Sequence, residues 1–212
     1  MNNMNNIEDE DDEDEIKVIL IGETGTGKTS LINTSIGLEF QEKFEPTQSS
    51  SIVPKKMKIN NKEYTINLWD TIGQEQYRAL NKIFMKGAKI VIFVYDITSK
   101  KTFDELDFWF DNTKEVLGDS PILAIIGNKT DLYFNEEVKE EMADEYAKKK
   151  GVPLKLTSAK TPKIFCEYLE ELVKKYIKKT EERAASIAVP GIKINEGGDE
   201  NKQTPKKKGK CC

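Results

Sequence analysis

The sequence predicts an α/β domain: a six-stranded, mostly parallel sheet with helices on both faces and one antiparallel edge strand. Three observations lead there. Short apolar runs alternate with longer stretches of helical periodicity, which is the pattern of repeated βα units. Four of the runs, KVILIG, IVIFVYD, ILAIIGN and the weaker PLKLTS, are apolar almost throughout, as strands covered on both faces must be. Two other runs are joined by Asn60-Asn61, residues suited to a tight hairpin turn, so one edge strand pairs antiparallel.

In chain order, the first fifteen residues end in eight consecutive acids, Glu8 to Glu15, with no basic group. Such a segment repels itself and has too little apolar surface to order, so residues 1–15 read as a disordered acidic arm. The first strand is Ile16 to Ile21, followed by a helix from Lys28 to Ile36. Ile52 to Ile59 and Tyr64 to Trp69 form the hairpin, and a short helix follows Gln74. Lys89 to Tyr95, Ile122 to Gly127 and Leu154 to Thr157 are the remaining strands. The helices between and after them run over Thr102 to Leu117, Glu136 to Lys150 and Pro162 to Glu182. In the last, Phe165, Leu169, Leu172, Val173 and Tyr176 recur at three- and four-residue spacing and give one core face. Residues 16–182 thus make one domain, and residues 183–212 a flexible basic tail.

The net charge of −4 describes none of these parts, since it comprises −8 in the arm, a neutral domain and +4 in the tail. By itself the net charge argues against a general nucleic-acid binder. No apolar run approaches the roughly 18 residues that span a bilayer, and the start carries neither a secretory nor a mitochondrial signal, so a cytosolic chain is expected. The chain has no histidine, which removes Ser-His-Asp and Cys-His nucleophile systems, His-ligated zinc and imidazole acid–base chemistry.

The chemistry lies at the predicted strand ends. The first strand runs into Gly22-Glu23-Thr24-Gly25-Thr26-Gly27-Lys28-Thr29-Ser30, a G-x-x-x-x-G-K-[ST] pattern between strand and helix. Its glycines let successive amides and the helix N-terminus point at phosphate oxygens. Lys28 is placed to reach the β- and γ-phosphates and Thr29 to ligate Mg²⁺. After the strand ILAII comes Asn128-Lys129-Thr130-Asp131. A carboxylate at Asp131 can accept two hydrogen bonds from the ring N–H and exocyclic amine of guanine, which adenine does not offer. Taken alone, these residues read equally well as a solvated turn. Ser158-Ala159-Lys160, after the last strand, would add a backbone N–H for the guanine carbonyl.

Together, GETGTGKTS, Pro46-Thr47, Trp69-Asp70-Thr71-Ile72-Gly73-Gln74-Glu75, NKTD and SAK occur in the order of the Ras-superfamily small GTPases, and the chain resembles their Rab family. The resemblance implies GTP/GDP and Mg²⁺ as ligands, with Thr29, Thr47 and Asp70 as metal residues, Asp70 through water. It implies that Gly73 donates its amide to the γ-phosphate and that Gln74 orients the attacking water. Phe40 and Lys129 would cover the guanine ring. Phosphoryl transfer through a loose transition state needs positioning and charge stabilisation rather than a strong base, which suits a chain without histidine. No internal arginine is placed as a finger; Arg78 reads as a surface or partner contact, so a GTPase-activating protein would supply one in trans.

Cys211-Cys212 resembles the Rab double-prenylation signal, and Lys206 to Lys210 would add attraction to anionic lipid. Cys166 reads as a small buried hydrophobe. The resemblance implies a monomeric switch in vesicle-mediated transport on the cytoplasmic face of an endomembrane. Its partners would be an exchange factor, a GTPase-activating protein, an escort protein, a GDP-dissociation inhibitor and effectors. Departures stand at Ile72, where the family usually has Ala, at Thr24, at Phe44 and at Gln48-Ser49-Ser50-Ser51. A GTP-binding membrane scaffold with negligible hydrolysis is the rival reading, and a P-loop small-molecule kinase a more distant one.

Overall fold

The computed structural model describes residues 14–42, 47, 49–73 and 78–187. Six strands form one sheet: β1 (Glu15–Ile21), β2 (Ser51–Ile59), β3 (Lys62–Asp70), β4 (Ile90–Asp96), β5 (Ile122–Asn128) and β6 (Leu154–Leu156). Their order is β2-β3-β1-β4-β5-β6, and only β2 runs antiparallel to its neighbour. The hairpin turn is where the sequence puts it. Asn60 and Asn61 both take positive φ, 51° and 66°, which asparagine tolerates and which matches the twist of the flanking strands.

Successive strand residues point to opposite faces, so each face needs its own cover. On one side Ile16, Val18 and Leu20 of β1 pack with α1 (Lys28–Ser35) and α6 (Pro162–Ile187). On the other, Ile19 and Ile21 pack with residues of α2 (Arg78–Met85), α4 (Leu106–Leu117) and α5 (Glu140–Lys150). The predicted face of α6 is observed in Phe165, Leu169, Leu172 and Val173, all buried; Tyr176 is only partly covered, and Tyr168 and Ile177 join the core.

In three places the helices depart from the sequence reading by more than one residue. The stretch expected over Thr102 to Leu117 divides into α3 (Lys100–Asp104) and α4. Phe103 turns edge-on to Tyr95, with ring centroids 5.0 Å apart, while Phe110 stacks on Phe93 at 3.9 Å. The helix expected from Glu136 starts only at Glu140, because the amides of Glu137 and Val138 both donate to the Ile97 carbonyl, at 2.8 and 3.0 Å, and hold that segment in a bend. Before it, Thr130–Asn135 forms a short 3-10 turn with no buried residue. α6 runs beyond Glu182 to Ile187, through a stretch of good helix formers without Gly or Pro. Among the described residues no helix is long and apolar enough to cross a membrane.

Candidate functional site

All the chemistry-bearing segments meet at the carboxyl ends of the strands, where open α/β sheets place their ligand crevices. The loop between β1 and α1 is shaped by two tight approaches. Gly22 has φ +149° and passes so close to β4 that a Cβ there would lie 2.1 Å from the Val94 carbonyl oxygen. Gly27 has φ +90°, and a Cβ would lie 2.3 Å from Nδ2 of Asn128. Only glycine meets both demands.

Lys28 is buried in this loop, its Nζ donating to the carbonyls of Gly22 at 2.8 Å and Glu23 at 2.9 Å. Burial lowers its pKa to about 8, against the attraction of Asp70 and Glu23. A buried cation whose hydrogen bonds go to neutral carbonyls is underpaired, and an anion beside it would restore its charge. Gly73 lies alongside: a Cβ on it would meet Lys28 Nζ at 2.7 Å and the Thr24 amide nitrogen at 2.6 Å.

Three distant segments bring oxygen atoms together next to that lysine. Thr29 Oγ1 donates to Asp70 Oδ2 at 2.7 Å and lies 2.8 Å from Thr47 Oγ1. Asp70 is 2% exposed, and its Oδ1 has no hydrogen-bond partner among the described residues. Burial raises its pKa, opposed by the Thr29 hydroxyl, Lys28 and the Thr71 amide. Two hydroxyls and a half-satisfied buried carboxylate form a hard-oxygen donor set, and they fit a magnesium ion shared with a phosphate.

Continuous with this end is a cleft of about 360 Å³, bordered by Gly25, Gly27 and Ser30 on one side and by Phe40, Lys129 and Lys160 on others. Asn128 is buried at its base, its Nδ2 donating to the Thr26 carbonyl at 2.8 Å and so locking the first loop to the end of β5. The loops after β5 and β6 are tied in turn. The Thr130 amide donates to the Thr157 carbonyl at 3.1 Å, and Ser158 Oγ donates to Asp131 Oδ1 at 2.5 Å. Lys160 Nζ lies 3.2 Å from Asp131 Oδ2 and 5.4 Å from the centroid of the Phe40 ring. Burial pushes the Asp131 pKa up, but the Ser158 hydroxyl and Lys160 outweigh it, and the carboxyl titrates below its usual range. The cleft is thus lined by the carboxylates of Asp131 and Glu42, the cations Lys129 and Lys160, and the apolar groups of Phe40, Leu132 and Ala159; Gly25 and Gly27 border both it and the end that holds Lys28, Thr29 and Thr47.

The structure brings together every described residue that the sequence singles out: Gly22 to Ser30, Phe40, Thr47, Asp70, Gly73, Asn128, Lys129, Asp131 and Ser158 to Lys160. Gln74, Cys211 and Cys212 lie outside the described residues, as do Phe44, Gln48 and the acids Glu8 to Glu13. Cys166 is half-buried rather than fully buried. Ile72, the departure in the DTIG segment, is buried. Sequence reasoning missed Asp96, which pairs with Lys129 across 2.6 Å. Its signal was a lone carboxylate at the end of an otherwise apolar strand.

Known proteins are consistent with this geometry. The model of the Ras family matches residues 17–178. Ras-related protein Rab-21 of Geodia cydonium is 39% identical over 161 residues, 76% of this chain and 70% of that protein. Rab-21 of Rattus norvegicus is 34% identical over 205 residues, 92% of this chain and 91% of the relative. Rab-2B of Dictyostelium discoideum is 31% identical over 183 residues, 86% and 88% of the two chains. With its sheet, its phosphate-type loop and relatives matched over most of its length, the chain belongs to the Ras family and is a Rab-type small GTPase.

Proposed function

We propose that the chain is a GTP/GDP switch that hydrolyses GTP to GDP and phosphate and recruits effectors in vesicle-mediated transport while GTP is bound. The observation that carries this is the convergence of Thr29, Thr47 and Asp70 beside Lys28, separated only by Gly25 and Gly27 from a cleft that Asp131 lines. Thr47 meets that end through its hydroxyl, 2.8 Å from Thr29 Oγ1. A γ-phosphate therefore has something to hold, and its loss something to release.

In this reading the amides of Gly25 to Ser30 and the Lys28 ammonium bind the phosphates, and Asp131 reads the guanine edge while Phe40 and Lys129 line its faces. Thr29, Thr47 and Asp70 would hold Mg²⁺, which when bound neutralises charge on the β- and γ-phosphates. Gly73 presents its amide next to Lys28. Gln74, the next residue, orients a water whose oxygen attacks the γ-phosphorus as the bond to the β-phosphate oxygen breaks; the water's proton leaves with the phosphate product. No arginine among the described side chains reaches the site, so in this reading the intrinsic reaction is slow and a GTPase-activating protein completes it. An exchange factor reloads GTP. Double prenylation of Cys211 and Cys212, with the neighbouring lysines, attaches the chain to the cytoplasmic face of an endomembrane, and an escort protein and a GDP-dissociation inhibitor handle the lipidated form.

Single-turnover hydrolysis of bound GTP by wild type and Gln74→Leu tests the assignment. The wild type turns over slowly and the variant markedly more slowly; equal rates overturn the role of Gln74. One observation favours the second reading, a GTP-binding scaffold with negligible turnover: the Thr24 backbone packs against Gly73, the residue before Gln74, so its side chain adds bulk next to the segment that would carry the attacking water. Thr24→Gly separates the two, because a turnover gained only by the variant means that the natural chain is a scaffold. Mass spectrometry of the C-terminus from a eukaryotic host tests the anchor, and unmodified cysteines in the membrane fraction contradict it.

A further inference from the structure

The guanine-nucleotide reading gives Lys129 a wall of the base pocket but does not explain what keeps a lysine there. A lysine side chain is a long, flexible stem that ordinarily keeps its ammonium in water. Here the backbone at Lys129 takes φ +71°, uncommon for a residue with a side chain, and its Nζ lies 2.6 Å from Asp96 Oδ2. Asp96 is 6% exposed. Its other oxygen, Oδ1, accepts hydrogen bonds from the amide and the hydroxyl of Thr98, at 2.9 and 2.8 Å. The backbone is pinned as well. The Asp96 amide donates to Thr102 Oγ1 at 3.0 Å, and the Ile97 amide to the carbonyl of Asn128 at 3.1 Å, one residue before Lys129. One oxygen thus holds a turn of the scaffold and the other holds the lysine.

We propose that Asp96 is a positioning residue for nucleotide binding: it anchors the Lys129 ammonium so that the methylene stem forms a fixed wall of the cleft. The proposal rests on the reading of that cleft as a guanine-nucleotide site. Charge-assisted bonds to a buried, fixed carboxylate are among the stronger side-chain contacts, and the stem between two fixed ends has little freedom left to lose when a base arrives. The stem touches the flat face of a purine, whereas Asp131 reads its edge. Asp96 therefore controls how long a purine nucleotide stays, without controlling which purine is chosen.

The experiment measures release of GDP and of IDP, which lacks the exocyclic amine, from the full chain. Asp96→Asn keeps an acceptor for Thr98 and replaces the charged partner of Lys129 with an amide. Release of both nucleotides accelerates roughly tenfold, and their ratio stays within about twofold of wild type. Asp96→Glu keeps the charge and gives a release rate between the two. Thr98→Ala, which loosens the turn and leaves the ion pair, changes release by less than about twofold. Lys129→Ala alone and combined with Asp96→Asn give the same rate, because the aspartate acts through the lysine. Additive effects in that double variant, a changed GDP/IDP ratio, or an Asp96→Asn rate equal to wild type would overturn the proposal while leaving the guanine reading intact. Failure of the wild type to hold either nucleotide overturns both.

Discussion

Replacing Asn128 by Ala tests whether the two nucleotide loops work as one preformed unit. The Asn128 amide is 1% exposed, and its Nδ2 donates to the Thr26 carbonyl at 2.8 Å, the side-chain link between the phosphate-type loop and the end of β5. Alanine deletes the donor and leaves the Thr26 carbonyl without it in a site closed to water. Such a loss costs about 1–3 kcal/mol. If all of it falls on the nucleotide-bound form, release accelerates about 5- to 150-fold, and if all of it falls on folding, melting drops by about 2–12 °C. Thr26→Ala is the control, because the acceptor is the main-chain carbonyl; the Thr26 hydroxyl donates instead to Glu23, at 2.9 Å. The assays are release of fluorescent GDP and thermal unfolding of the loaded protein. Asn128→Ala changes at least one of them by these amounts, with Thr26→Ala well below it. An alanine variant matching wild type in both would refute the coupling of the loops.

Gly27→Ala should be worse than Asn128→Ala, since its Cβ strikes Asn128 Nδ2 in a backbone conformation that alanine resists; undiminished GDP binding by this variant would contradict the geometry. Chelating magnesium accelerates GDP release from wild type and does little more to Asp70→Ala, which already lacks the carboxylate; equal acceleration in both sinks the metal assignment. The Asp131 carboxyl titrates below its usual range partly through the Ser158 hydroxyl, so Ser158→Ala moves its titration upward. Because a depressed carboxyl pKa stabilises the native chain above its unfolded value, the variant also loses native stability at neutral pH relative to its stability in acid. Carboxyl chemical shifts read against pH check the first part, and a downward or absent shift opposes it.

Much of the fold was legible because burial on two faces leaves so little choice of residue. IVIFVYD and ILAIIGN could be little other than central parallel strands, and Asn60-Asn61 supplied the hairpin turn by itself. The boundaries that sequence reasoning misplaced were set by long-range contacts. Nothing in NEEVKEE states that Ile97 will take the amides of Glu137 and Val138 and delay α5 to Glu140. The same division holds at the site. Gly22, Gly27, Lys28 and Asp131 sit in local patterns whose spacing has a chemical reason, so they could be named from the chain alone. Asp96 has no such pattern, because its partner Lys129 is thirty-three positions away and is brought to it by the β4–β5 register, which sets Asp96 opposite Asn128.

If this cleft holds a guanine nucleotide and, through it, a switch, the nucleotide itself should travel with the chain. The nucleotide that stays with the purified chain, released by denaturation and identified by chromatography, tests it most directly. GDP or GTP is expected at close to one per chain, retained by wild type and lost or replaced in Asp131→Asn. Adenine nucleotide in that position, with no guanine nucleotide present, would contradict it.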